Sequence, residues 1–169
     1  TDDEGFAYVK NLPLGEYYVK ESEAPEGFVH NENSEKAVFV YADQNTPVVF
    51  DQVSFTNERQ KVSISVEKQD ADNGNVVPGA VFGIYNAEDI SNKDGQVIVK
   101  ADTLLQEITS NEKGKAAFTL DLPLGRYYVK ELQAPAGYVS SDEILEFDAT
   151  YQGQDVKTIK LKSVKKNQP

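Results

Sequence analysis

Residues 122–139 read LPLGRYYVKELQAPAGYV, and residues 12–29 read LPLGEYYVKESEAPEGFV. The two phrases begin 110 residues apart (122 − 12), and 13 of the 19 positions in 11–29 match their counterparts. Identity on this scale in so short a window indicates an internal duplication. The period has the length of a small domain, which excludes a solenoid repeat.

The two copies differ in extent. Residues 59–169 hold one copy from its first strand-like run to its end and are predicted to form a complete domain. The first copy reaches its phrase at residue 12, so the counterpart of residues 61–110 would precede Thr1. Residues 1–58 are therefore predicted to be the C-terminal half of a domain. We expect the chain to be a segment of a longer tandem array.

Short alternating runs predict an all-β fold. The run KVSISVEK at residues 61–68 places apolar and polar side chains on opposite faces of a strand. Similar runs follow, separated by turn signals such as DNGN, NKDG and NEKG. The run TLLQEITS at residues 103–110 fits either a strand or a helical turn. Many short strands with frequent turns predict an antiparallel sandwich.

Composition excludes several function classes. The chain has 169 residues, 39% of them hydrophobic, and no apolar stretch long enough to cross a bilayer. Its net charge is −11, which disfavours nucleic acid because affinity there depends on neutralising phosphates. The absence of cysteine excludes disulfides and thiolate metal sites. A lone histidine, His30, leaves no serine or cysteine protease triad.

Charged and amide side chains continue the apolar faces of several strands. Residues two apart share a face of a strand. Lys68 continues the face of KVSISVEK, Glu131 continues the face of Tyr127 and Val129, and the first copy repeats this with Glu21. Asn57 continues the face of the run DQVSF in the same way. Because an unpaired buried charge is costly, we expect these groups to find one another.

Two interpretations of this pattern stay open. One is a buried lysine–glutamate ion pair with an asparagine hydrogen bond, or strand ends that reach solvent. The other is a reaction, because a lysine in apolar surroundings loses its proton more easily and a neutral amine is a nucleophile. A protonated carboxyl can polarise the asparagine carbonyl and carry protons to the leaving ammonia. The product would be an amide between lysine and asparagine side chains.

The motifs resemble those of the Cna protein B-type (CnaB-like) domains of Gram-positive surface adhesins and pilins. The run YYVKELQAPAGYV is similar to that family's E-box, and VEKQDADNGNVVPGAVFGIY is similar to its opening. The E-box residues are Tyr127, Val129, Glu131, Ala134, Pro135, Gly137 and Tyr138, and the opening includes Lys68, Gly79, Ala80 and Phe82. The resemblance covers essentially the whole chain.

This resemblance implies tandem immunoglobulin-like (CnaB-type) β-sandwiches, with the first copy truncated in its N-terminal half. It implies an autocatalytic isopeptide bond with Lys68 as the amine donor, Glu131 as the promoter and Asn167 as the acceptor. In the first copy, Glu21 and Asn57 match the promoter and acceptor, but their lysine strand is absent from the chain.

The acceptor assignment depends on the register near the C-terminus. The 110-residue offset maps Asn57 onto Asn167 but also maps Phe55 onto Lys165, a charge where a core residue is expected. A bulge near residues 163–166 would change which side chains face the core. The lysines of this region are predicted to form a solvated strand face: Lys157, Lys160, Lys162, Lys165 and Lys166.

The function implied is structural. We expect a stalk or spacer segment of a cell-surface adhesin or pilin, extracellular and attached to the cell wall as part of a longer exported protein. Its partners would be neighbouring domains of the same surface protein, with a host protein or glycan as a further candidate. Two alternatives are a module that binds such a host ligand and an accessory sandwich of a secreted carbohydrate-active enzyme. Self-cross-linking would occur once, so the chain is not expected to be an enzyme.

No cofactor, metal, nucleic acid or membrane insertion is expected. The sequence contains no phosphate loop, dinucleotide fingerprint or metal-ligand cluster. The run DADNGN at residues 70–75 has its glycine one position too early for a calcium loop and lacks the ligating glutamate, so a plain turn is predicted.

Overall fold

The computed structural model describes all residues from Thr1 to Pro169 and contains strands but no helix. The all-β prediction is confirmed, and the ambiguous run at residues 103–110 forms a strand. The strands are β1 (Gly15–Lys20), β2 (Ser34–Phe39), β3 (Lys61–Asp70), β4 (Val81–Asn86), β5 (Ile90–Ser91), β6 (Val97–Val99), β7 (Leu104–Thr109), β8 (Lys115–Ala117), β9 (Gly125–Gln133), β10 (Leu145–Ala149) and β11 (Thr158–Asn167).

The chain divides into two compact units. Unit 1 comprises Thr1–Ala24 and His30–Glu58, and unit 2 comprises Pro25–Val29 and Arg59–Pro169. The segment Pro25–Val29 belongs to unit 2 because Gly27 accepts a backbone hydrogen bond from Gln60 at 2.8 Å and Phe28 forms a bridge with Arg59.

Unit 2 is a sandwich of two sheets. One sheet has the strand order β10-β9-β4-β7, and the other has the order β11-β3-β8. Alternation along each strand sends one set of side chains into the space between the sheets, where burial of apolar area stabilises the fold. The core residues include Val62, Ile64, Val66, Phe82, Ile84, Tyr127, Val129 and Phe147. The predicted immunoglobulin-like sandwich is confirmed.

The first and last strands of unit 2 lie side by side and parallel. The pairing of β3 with β11 runs without a shift from Lys61 opposite Thr158 to Asp70 opposite Asn167. The expectation of a purely antiparallel sandwich is therefore wrong for this pair. A short hairpin forces two strands to be antiparallel. No hairpin connects β3 to β11, because the rest of the domain lies between them in the chain, so these two strands can pair in parallel. No bulge interrupts β11 near residues 163–166.

Unit 1 repeats the hairpin geometry of unit 2. In β1 and β2, Gly15 lies opposite Phe39, and in β9 and β10, Gly125 lies opposite Ala149. Both pairs differ by the same 110 residues (125 − 15 and 149 − 39). The Tyr17 hydroxyl donates to the carbonyl of Pro13 at 2.9 Å, as the Tyr127 hydroxyl does to its own upstream proline at 2.8 Å. The duplication therefore extends to register and tertiary hydrogen bonds.

The turn between β7 and β8 is fixed by Gly114. Its φ of +68° lies in the left-handed region that favours glycine, and its carbonyl accepts the backbone N–H of Lys68 at 2.7 Å. A Cβ added at this position would lie 2.7 Å from the Lys68 carbonyl oxygen. This turn therefore packs directly against the backbone of β3.

We expect Gly114→Ala to destabilise unit 2 by more than about 2 kcal/mol, because backbone strain and a backbone clash add. Gly95→Ala is the matched control, because Gly95 also has a positive φ, +78°, but nothing lies within 4 Å of an added Cβ. The control should lose only about 1 kcal/mol from backbone strain. Urea unfolding of both variants checks this, and equal losses would contradict the packing described here.

Candidate functional site

Three polar side chains converge at one end of the unit 2 core. Lys68 comes from β3, Glu131 from β9 and Asn167 from β11. The Lys68 Nζ lies 3.3 Å from Glu131 Oε1, and the side chains of both residues are fully buried. Asn167 Nδ2 donates to Glu131 Oε2 at 2.5 Å. The structure thus brings together the three residues of the second copy that the sequence singled out.

Strand alternation places each of these groups. Lys68 lies two residues after the buried Val66 on the inner face of β3. Glu131 lies two residues after the buried Val129 on β9, and across the sheet its backbone partner is Phe82. Asn167 is the last residue of β11 and reaches the same end because the β3–β11 register is unbroken.

The site is buried and incompletely hydrogen-bonded. All three have a buried polar atom without a hydrogen bond of good geometry: Lys68 Nζ donates none, and Glu131 Oε1 and Asn167 Oδ1 accept none. Burial lowers the pKa of the Lys68 amine, the Glu131 carboxylate raises it, and the nearby cation Lys165 lowers it further, with a net shift below the ordinary value. Buried polar atoms that lack a hydrogen bond are unusual in a folded protein, and perturbed pKa values cluster at functional sites.

This arrangement can support attack of the amine on the amide. A neutral amine is a nucleophile, and the carboxylate beside it can accept the proton that the amine loses. The carboxylate contacts the amide nitrogen of Asn167 and not the carbonyl that the sequence predicted it to polarise. Glu131 is therefore placed to protonate the departing nitrogen.

Unit 1 contains the equivalent carboxylate–amide pair. Asn57 Nδ2 donates to Glu21 Oε2 at 2.6 Å. The same oxygen accepts the backbone N–H of Asn31 at 2.9 Å, which lowers the pKa of Glu21, with the Asn57 bond lowering it further. His30 is partly buried, with its Nε2 2.7 Å from the Glu21 carbonyl oxygen. No lysine lies within ion-pair distance of Glu21.

Lys165 is not part of a solvated strand face, so that prediction is wrong for this residue. Its side chain is fully buried, and its ammonium donates to Ser141 Oγ at 2.9 Å, to the Glu143 carbonyl at 3.0 Å and to Glu143 Oε2 at 2.9 Å. The one sequence signal for this burial was the alignment of Lys165 with Phe55, which marks a core-facing position.

The remaining candidate signals have plain structural explanations. The Asp70 carboxylate in the DADNGN run accepts backbone N–H groups of Asp72 and Asn73 and the Tyr138 hydroxyl, as in an ordinary turn. No cluster of three or more His, Cys, Asp or Glu side chains is arranged to hold a metal ion. The structure contains no helix that could span a membrane.

The chain is similar in sequence and in structure to several bacterial proteins, including surface and pilin proteins. The trypsin-resistant surface T6 protein of Streptococcus pyogenes serotype M6 is 35% identical over 95 residues, which are 56% of this chain and 15% of that protein. The Bacillus anthracis TIE protein superposes with a TM-score of 0.70 at 31% identity over 99% of this chain and 28% of that chain. The T6 backbone pilin of serotype M6 Streptococcus pyogenes gives a TM-score of 0.42 at 29% identity over 53% of this chain and 16% of that chain.

The chain thus spans less than a third of the length of these relatives. A family model described as the SpaA prealbumin-like fold domain matches residues 1–54 and 62–165, far more than half of the chain. The predicted kinship with stalk domains of Gram-positive pilins and adhesins is confirmed, while the narrower CnaB assignment stays a prediction. The chain belongs to the family of SpaA prealbumin-like fold domains.

Proposed function

We propose that this chain is a structural segment of a Gram-positive surface pilin or adhesin shaft, stiffened in unit 2 by an isopeptide bond between Lys68 and Asn167. The observation that carries the proposal is the buried contact of Glu131 with both reacting side chains. Family membership and the names of the surface and pilin relatives support the shaft role. No feature of the structure favours a host-ligand module or an accessory enzyme domain over it.

The reaction balances without any added reagent. Lys68 gives a proton to Glu131, and its neutral Nζ attacks Asn167 Cγ. The Nζ–Cγ bond forms, the departing nitrogen takes the proton from Glu131, and the Cγ–Nδ2 bond breaks. The new amide nitrogen gives its second proton to the Glu131 carboxylate, which passes that proton to the released ammonia. Ammonia therefore leaves the site as an ammonium ion, and Glu131 ends the reaction ionised as it began. The event occurs once for each molecule, so the chain is not a turnover enzyme. It requires neither metal nor cofactor.

The proposal extends to partners and location. A shaft segment contacts the neighbouring domains of its own surface protein and works outside the cell, attached to the cell wall. An internal amide suits that setting, because a chain without cysteine has no disulfides to reinforce it.

We expect the intact mass to fall short of the sequence mass by one ammonia, and a tryptic map to recover Lys68 and Asn167 in one branched peptide. Glu131→Ala should have the full mass and a lower melting temperature. The bond closes a loop of 99 residues (167 − 68), which by analogy with a disulfide stabilises by about 4–5 kcal/mol. Separate Lys68 and Asn167 peptides from the wild-type chain would refute the bond.

We expect the chain to lose one ammonia and not two. Glu21 and Asn57 form a carboxylate–amide pair without a lysine in ion-pair distance, so unit 1 has no donor within this chain. Asn57→Ala should keep the same mass deficit, and Asn167→Ala should abolish it. A deficit that disappears in Asn57→Ala would show that the acceptor has been assigned to the wrong unit.

We expect the amine of Lys68 to make stability depend on pH in a chain that cannot react. Burial lowers the pKa of Lys68 below its ordinary 10.5, so in Asn167→Ala the unfolded state binds more protons than the folded state in that window. Stability should rise as pH increases toward 10.5 and fall as pH drops through the folded pKa. Urea unfolding of Asn167→Ala against Asn167→Ala/Lys68→Gln measures this difference. Parallel pH profiles for the two chains would contradict the shift.

A further inference from the structure

A second buried lysine stands beside the proposed donor. In the parallel pairing of β3 with β11, Lys165 is the direct partner of Lys68. Neighbouring strands lie about 4.8 Å apart and paired residues share a face, so both side chains leave the sheet toward the core. Both residues are fully buried. Like charges placed directly opposite one another are destabilising, so this pairing requires an explanation.

The two amines differ in their hydrogen-bond partners. The Lys165 ammonium has three acceptors within 3.0 Å, which matches its three N–H donors. One of these acceptors is the carboxylate of Glu143, whose side chain is 62% exposed. Lys68 Nζ has no hydrogen bond of good geometry. The ammonium of Lys165 is thus fully hydrogen-bonded, whereas Lys68 Nζ has only the Glu131 carboxylate 3.3 Å away, and burial lowers the pKa of Lys68.

The carboxylate–amide contact does not require a lysine at this position. Unit 1 has Phe55 at the counterpart of Lys165, and the hairpin register and the Glu21–Asn57 contact are the same as in unit 2. Residues 51–58 form no strand in unit 1, so the comparison shows only that the carboxylate–amide contact forms when this sequence position is apolar. The simpler explanation of this lysine is structural: Lys165 attaches the Ser141–Glu143 segment to β11. The other explanation is electrostatic: its charge acts on Lys68.

Among the ionisable groups around Lys68, Lys165 is the only cation. Glu131 faces it from β9, Lys165 from β11 and Asp70 from its own strand. Asp70 is already engaged by the Tyr138 hydroxyl and by turn amides. Lys165 is the one cation in this set, and its charge lowers the pKa of Lys68 in addition to the effect of burial.

We propose that Lys165 is a positioning residue for the coupling of Lys68 to Asn167, holding a fixed positive charge that favours transfer of the Lys68 proton to Glu131. This inference rests on the proposed isopeptide bond. Over the whole reaction, a lysine ammonium and an amide become a secondary amide and an ammonium ion. The positive charge of Lys68 thus leaves the core, and the repulsion from Lys165 disappears with it.

The first experiment measures the Lys68 amine directly in the full chain carrying Asn167→Ala, which cannot couple. Lysine labelled with carbon-13 is titrated by NMR, with Lys68 identified by its loss in Lys68→Arg. Adding Lys165→Gln should raise the proton affinity of Lys68 about tenfold, the size expected for nearby charges in partly buried surroundings. Lys165→Met, which resembles Phe55 in being apolar, provides a second variant if the glutamine disturbs folding.

Lys166→Gln is the matched control. It removes the same charge from the adjacent residue, which is exposed on the other face of β11. It should leave the titration of Lys68 unchanged. An unchanged titration in both Lys165 variants, or an equal shift in the Lys166 control, would overturn the proposal.

The second experiment follows ammonia loss against pH in freshly translated chains with Asn167 intact. Lys165→Gln should move the pH profile of coupling to higher pH and reach the same plateau, whereas Lys166→Gln should follow the wild type. Equal slowing at every pH would mean that Lys165 only anchors the Ser141–Glu143 segment, which overturns the proposal. If the wild-type chain loses no ammonia at any pH, the isopeptide bond fails, and the titration alone still decides the effect of Lys165.

Discussion

The buried contact of the Lys68 amine with the Glu131 carboxyl group constrains the arrangement of strands in unit 2. Two charges removed from water are costly, and breaking such a pair by removing one partner costs about 3–5 kcal/mol. The pair is tolerable only where the strands bring the two groups together inside the sandwich, 3.3 Å apart. The position of β9 across the core from β3 is therefore tied to this one contact, and the hydrogen bond from Asn167 to Glu131 brings the end of β11 to the same place.

Local pattern was sufficient to predict much of this architecture. Alternation identified the strands, and the two-residue spacing after Val66 and Val129 identified Lys68 and Glu131 as core-facing. The 110-residue offset between the two copies then aligned Asn57 with Asn167 and identified Asn167 as the candidate acceptor. In the structure, Asn167 contacts Glu131. The sequence could place these side chains in the core because placement depends on which face of a strand a residue occupies, which neighbours in sequence determine. Their roles as donor, promoter and acceptor stay predictions.

Features that depend on contacts between residues far apart in the chain could not be predicted from the sequence. The parallel direction of β3 and β11 depends on how a whole domain closes, which no turn residue encodes. The burial of Lys165 depends on Ser141 and Glu143, which lie more than 20 residues away in an irregular segment. A lysine in a basic run looks solvated when its partners are unknown. The contact of Glu131 with the amide nitrogen is likewise a matter of side-chain geometry.

The parallel pairing of the first and last strands determines how unit 2 carries mechanical tension. β3 begins at Lys61 and β11 ends at Asn167, at opposite ends of the same ladder. A pulling force applied at these two points acts along the strands, so the ladder hydrogen bonds resist it together in shear and do not open one by one. With the proposed amide in place, the force would pass along residues 61–68 and leave through Asn167. The rest of the sandwich would then carry no force and would stay folded.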